Sequence, residues 1–232
     1  MKPIHRHVTR FWSEERSLTV FLAVLVIEIF VIAPINIAGF AISLVNGILF
    51  SLLLLTGLLT MTRRKSLQAA VATLVVLGVA THWARILFDM QELIIPDLLL
   101  FLVCTIGFLV IVLWQVYREG TVTIHRIQGA VPAYLLLSII FAAAYALAEH
   151  MKPGSFQIPA AQAHFGGRFN QAFYYFSVVT LTTTGYGDIT AVHPLARSLV
   201  MMEALVGQLY PAILIARLVS LHIEEKKDRR GR

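Results

Sequence analysis

Six long apolar runs, broken only by short polar or basic segments, decide what this chain can fold into. They are Ser17–Ile35, Ala38–Met61, Ser66–Phe88, Pro96–Tyr117, Gly129–Leu147 and Pro194–Leu221. A helix of about 20 residues spans a hydrocarbon core about 30 Å thick. Lipid offers no hydrogen bonds, so each run must satisfy its backbone internally, and among α-structures only a helix does so. The first two runs together exceed one crossing, and Pro34, Asn36 and Gly39 supply a turn between them. Of 232 residues, 58% are hydrophobic and only 14% charged, with mean hydropathy +0.77. The expected fold is therefore an all-α membrane protein with six transmembrane helices, and little chain remains for a soluble domain.

The basic residues report topology. The formal charge is +6, but Lys and Arg fall in short clusters between apolar runs, a placement that argues against nucleic acid as a partner and follows the positive-inside bias. With both termini cytoplasmic, only Arg85, Lys152, Arg168 and Arg197 of the 19 Lys and Arg are left on the outer side. The stretch after Arg16 is too long for a signal peptide and lacks a small-residue cleavage site, so it reads as a retained first crossing. Cys104 is the single cysteine, which excludes an intrachain disulfide or a cysteine metal site. The expected location is the plasma membrane, a bacterial inner membrane, with multiple passes.

Between the fifth and sixth runs the pattern changes. Met151 to Arg168 is rich in Pro, Gly and polar residues, and Asn170 to Thr182 then reads as a short helix capped by Asn170. About a dozen helical residues rise roughly 18 Å, too little to cross, so this segment must enter the membrane and return. It leads directly into Thr180-Leu181-Thr182-Thr183-Thr184-Gly185-Tyr186-Gly187-Asp188. Glycines such as Gly185 and Gly187 can take positive φ without a Cβ penalty, which lets consecutive carbonyls face one axis. Irregular backbone at membrane depth is tolerated where it lines a water-filled path, and carbonyl rings there can replace the hydration shell of an ion.

This segment resembles the selectivity filter of the potassium channel family, whose usual core is Thr-Val-Gly-Tyr-Gly. The resemblance covers about residues 129 to 222 and is similar to a prokaryotic-type six-span subunit with an ion-channel pore domain. It implies K+ as the transported ion, bound by the backbone carbonyls of Thr183, Thr184, Gly185 and Tyr186 and the Thr183 hydroxyl, with Gly187 completing the filter. It implies a homotetramer, since one strand supplies a quarter of a ring. It also implies filter support from Thr182, Asp188, Tyr175, Phe176 and Glu203, with Tyr186 bracing against Tyr175 and Phe176. Asp188 could add negative charge at the outer mouth or form a bracing hydrogen bond. Glu203, in the sixth run, could line the cavity or brace the short helix from behind. Gly207 and Pro211 stand where the family's inner helix has its hinge; they either bend that helix to open a gate or only fit its packing. The short helix would turn its partial negative C-terminus toward the cavity and favour a cation there.

The first four runs lie outside the resemblance. The fourth, Pro96–Tyr117, contains no arginine, so the helix lacks the gating charges a voltage sensor needs. Glu28, His82 and Arg85 are the ionisable groups noted in these runs, and Glu28 with Arg85 forms a candidate pair; a pH or ligand sensor at His82 is the alternative. The basic tail around Lys226, Lys227, Arg229, Arg230 and Arg232 can meet anionic lipid or simply be solvated. The expected organisation is a cytoplasmic N-terminus (1–16), a four-helix transmembrane domain (17–117), a cytoplasmic linker (118–128), a pore domain (129–222) and a short cytoplasmic tail (223–232). The expected function is a potassium-selective channel subunit, not an enzyme and without a cofactor. A potassium uptake transporter subunit and a non-conducting accessory subunit are the competing readings.

Overall fold

The computed structural model describes residues 22–32, 44, 47–48, 50–55, 65–117, 124–159 and 171–230. The first two apolar runs fall largely outside this set, as does the proposed cap Asn170; within them residues 22–27 are α-helical, Glu28–Ile32 is π-helical and residues 50–55 are helical. Five helices carry the rest: α1 (Lys65–Phe88), α2 (Ile94–Tyr117), α3 (Ile124–Met151), α4 (Gln171–Leu181) and α5 (Pro194–Arg230). Among the described residues, four helices are long and apolar enough to cross a membrane, over Val71–Phe88, Gln91–Trp114, Ala130–Met151 and Pro194–Ser220. They correspond to the third to sixth apolar runs. Six spans are thus not all visible, and four are.

Helix boundaries depart from the sequence reading at three places. α3 begins at Ile124, inside the segment read as linker, and tolerates Pro132 nine residues in. α5 continues without a break to Arg230, past the expected end at Leu221; no glycine or proline follows Pro211 within the helix to stop it. Its 37 residues make a rod about 55 Å long. α4 has 11 residues, a rise of about 16 Å, so it is too short to cross.

The all-α expectation also misses a small ladder. β1 (Phe156–Gln157) pairs antiparallel with β2 (Thr190–Ala191), with Phe156 opposite Ala191 and Gln157 opposite Thr190. Two residues per strand leave no period-2 signal to read. The ladder joins the exit of α3 to the chain leaving the Thr182–Asp188 segment. Ser155 extends it, its carbonyl accepting from Val192 (2.8 Å) and His193 (3.2 Å). The Glu149 carboxylate at the end of α3 accepts from the amides of Gly154 (2.7 Å) and Phe156 (3.0 Å), which fixes the turn.

α2 packs along α3, α3 supports α4 and α5, and α4 lies against α5. Small residues let α3 do this: Ala133, Ala142 and Ala143 are fully buried. Tyr145 of α3, Phe156 of β1, and Phe173 and Phe176 of α4 form one aromatic cluster, with ring centroids 4.9 Å apart for Phe156–Phe173 and 5.2 Å for both Tyr145–Phe156 and Tyr145–Phe176. Each such pair contributes about 0.5–1.5 kcal/mol beyond area burial. α4 is thereby fixed by its back, and its far end delivers the segment that follows.

Candidate pore segment and its supports

The four carbonyls at the C-terminus of a helix lack intrahelical donors and must find others. In α4 three of them are satisfied by the chain that follows. Thr182 donates its amide to Val178 (3.0 Å), Thr183 to Thr180 (2.9 Å), and Thr184 and Gly185 to Val179 (2.9 and 3.3 Å). The Thr182 hydroxyl donates to Val178 (2.7 Å) and meets the Thr184 hydroxyl at 3.0 Å. The segment is thus folded back onto the helix end that launches it.

Beyond that point the backbone alternates. Thr183 has φ 58°, Gly185 φ 56° and Gly187 φ 77°, whereas Thr184 and Tyr186 between them do not enter the positive region. An extended strand sends successive carbonyls to opposite sides; alternating the sign of φ turns them toward the same side. Glycine takes positive φ at no steric cost, but β-branched Thr183 does so at about 1–2 kcal/mol. Sequence reasoning assigned the glycines their conformation and did not anticipate strain at Thr183. Residues Thr182 to Asp188 are all exposed in the single chain, Tyr186 by 71%.

The residues expected to support this segment separate into two groups. Tyr175 stays beside it, close enough to Asp188 for the two side chains to interact. Phe176 does not join Tyr186. It is buried in the aromatic cluster against Tyr145 and Phe156, because its position on α4 faces α3. Among the described residues of the single chain, the ring partners of Phe176 are Tyr145 and Phe156.

Glu203 is fully buried between helices. Its carboxyl hydrogen-bonds the Tyr145 hydroxyl of α3 and the Ser177 hydroxyl of α4. Ser177 also donates to the Ser138 carbonyl at 2.7 Å. Of the two places open to Glu203, the geometry gives the one behind the short helix. Tyr145, Ser177 and Ser138 were not singled out from sequence, since a lone Tyr or Ser on an apolar helix gives no signal until a partner is known.

Gly207 sits where α5 meets the end of α4. A Cβ there would collide with the Leu181 carbonyl oxygen and stand 2.8 Å from the Leu181 carbonyl carbon. Close approach of two backbones thus accounts for this glycine. One turn later Pro211 lacks the amide that would bond the Gly207 carbonyl, yet the helix continues. Packing and a weakened ladder coincide in the same turn.

Between α1 and α2, Arg85 is paired with Asp97 of α2. Arg85 Nε donates to Asp97 at 3.2 Å, and His82 Nδ1 lies 3.2 Å from the same carboxylate. Asp97 is fully buried and His82 nearly so, with the Phe50 ring 4.4 Å from the His82 ring. The expected Glu28–Arg85 pair involves Glu28, whose side chain lies outside the described residues. Asp97 was overlooked at the head of an apolar run.

Comparison with known proteins places this geometry. Residues 133–224 match the family model described as ion channel. The inward rectifier potassium channel Kirbac3.1 of Paramagnetospirillum magnetotacticum is 38% identical over 84 residues, covering 34% of this chain and 24% of that protein. The match therefore spans about a quarter of the relative's length. No solved structure matches the chain. The matched span holds α4, the segment after it, Glu203, Gly207 and Pro211. Residues 133–224 are thus similar to an ion channel domain, and 84 residues of the chain are similar to an inward rectifier potassium channel.

Proposed function

We propose that four copies of this chain surround one pore and conduct K+ passively through Thr183, Thr184, Gly185, Tyr186 and Gly187. The observation that carries this reading is the alternation of positive φ at Thr183, Gly185 and Gly187 directly after a helix too short to cross. Alternation gives one strand several carbonyls on one side, and four strands close them into rings that replace the hydration shell. α4 is then a re-entrant pore helix whose carbonyl end favours a cation in the cavity. The tetramer is supported by α5, which exposes Met201, Met202, Leu205, Leu209, Ile213 and Val219 in the single chain. Copies of the same helix around an axis, together with lipid, would cover that length.

On this reading α3 to α5 form the pore domain, and residues 17–117 form a transmembrane domain without gating arginines. Both termini lie in the cytoplasm of a bacterial inner membrane, and anionic lipid meets the basic ends. Asp188 and Tyr175 brace the outer end of the filter, Glu203 holds α4 from behind, and Gly207 with Pro211 forms the flexible turn of the gate. The test is flux from proteoliposomes loaded with K+, with Na+ as the control ion. The expected result is flux for K+ and at least tenfold less for Na+. Equal flux for both ions, or none for either, overturns the reading.

A further inference from the structure

The end of α4 leaves one carbonyl that the segment following the helix does not satisfy. Val178, Val179 and Thr180 accept amides from residues 182–185, whereas Leu181, the last helical residue, accepts none. Its partner comes from another helix: the Tyr134 hydroxyl of α3 donates to the Leu181 carbonyl at 2.9 Å, across 47 residues of sequence. Leu181 is 1% exposed, so water does not compete for that oxygen. The opposite wall is the backbone of α5 at Gly207, which leaves no space for even a methyl group. The Tyr134 ring is itself held, its centroid 5.6 Å from Tyr210, whose hydroxyl donates to the Ala130 carbonyl at 2.8 Å. Leu181 is therefore clamped between two membrane-spanning helices, two residues before the strained Thr183.

We propose that Tyr134 is a positioning residue for ion selection: its hydroxyl caps α4 from a neighbouring helix and so sets where the Thr183–Gly187 strand begins. The inference rests on the channel reading and deepens it. A buried carbonyl deprived of its donor seeks another. The amides of residues 182–185, which fold the chain back onto the helix end, are donors in the same turn, so the strand would shift if one of them re-satisfied that oxygen. Ion selection depends on the fit of carbonyl rings, and a displaced start to each strand loosens every ring above it.

Tyr134→Phe removes one oxygen and leaves the ring on Tyr210. In proteoliposomes containing assembled channels, the K+ over Na+ flux ratio is expected to fall at least fivefold. Tyr210→Phe removes the stacked hydroxyl, which bonds Ala130 of α3 and not the Leu181 carbonyl, and is expected to keep the ratio within twofold of wild type. Tyr134→4-aminophenylalanine retains an N–H donor at the same reach and is expected to restore at least half of the ratio. A role limited to stability would lower yield or melting temperature and leave the ratio alone. An assembled Tyr134→Phe channel with a wild-type ratio overturns the proposal. If that variant does not assemble, the 4-aminophenylalanine channel carries the test, and a fivefold loss of its ratio overturns the proposal as well. Wild-type protein without K+ preference overturns the channel reading itself, a separate outcome.

Discussion

At the scale of single residues, conformation and reach set what each position tolerates. Gly185 and Gly187 hold φ values of 56° and 77°. An alanine at either costs about 1–2 kcal/mol of backbone strain per chain, a cost that the proposed tetramer would carry in each copy. Gly185→Ala is expected to abolish K+ flux in proteoliposomes while the protein still reaches the membrane. Gly207 and Pro211, which the sequence presents together as a hinge, now require different experiments. Gly207→Ala forces α5 away from Leu181, so its effect mixes displaced packing with stiffness. Pro211→Ala adds an amide facing the Gly207 carbonyl without filling occupied space, a bond with a net value of about 0.5–1.5 kcal/mol. Single-channel recording of Pro211→Ala is expected to show open probability reduced roughly three- to tenfold; an unchanged open probability would show that α5 does not bend there.

At the scale of helices, buried polar groups join elements whose apolar surfaces alone would slide. Glu203 links α5 to Tyr145 of α3 and Ser177 of α4. Glu203→Ala leaves the Tyr145 hydroxyl buried without its partner, at about 1–3 kcal/mol, whereas the Ser177 hydroxyl keeps the Ser138 carbonyl. The variant is expected to melt at lower temperature than wild type, and Glu203→Gln, which keeps the shape and both hydrogen-bonding ends, is expected to recover most of the loss. Between α1 and α2 the joining group is Asp97, which holds Arg85 and lies beside His82. Breaking a buried pair from one side costs about 3–5 kcal/mol; Arg85 keeps some contact with solvent, so the lower end applies. Thermal unfolding in detergent is expected to place Asp97→Ala well below wild type, with Arg85→Ala, Asp97→Ala together losing less than the sum of the two single variants.

At the scale of the whole molecule, the part that matches the ion channel model and the helices before it differ in what they offer to a stimulus. α2 carries no arginine, and Arg85 of α1 is engaged by Asp97. Moving one elementary charge through the membrane field yields about 2.3 kcal/mol per 100 mV. Open probability in planar bilayers is expected to follow voltage with a gating charge below about one elementary charge. A steep dependence would show that charges outside α2 move through the field. α5 runs past the apolar span ending at Ser220 and continues as one helix to Arg230.

Much of this was legible in the sequence because it depends on local chemistry. Runs of apolar residues long enough to cross lipid marked α1, α2, α3 and α5, the shorter run before Thr183 marked α4, and Gly185 and Gly187 marked backbone with positive φ. Those features follow from length, hydropathy and the missing Cβ, which each residue carries with it. The two-residue ladder between β1 and β2 was too short to leave a pattern, and α5 ran past its expected end because nothing in the tail breaks a helix. Only tertiary structure decided that Phe176 turns to the aromatic cluster, that Arg85 meets Asp97, that Glu203 lies behind α4, and that Tyr134 reaches Leu181. Each of those depends on which faces of distant helices meet, and a hydroxyl or carboxyl in an apolar run does not reveal its partner until packing brings the two together.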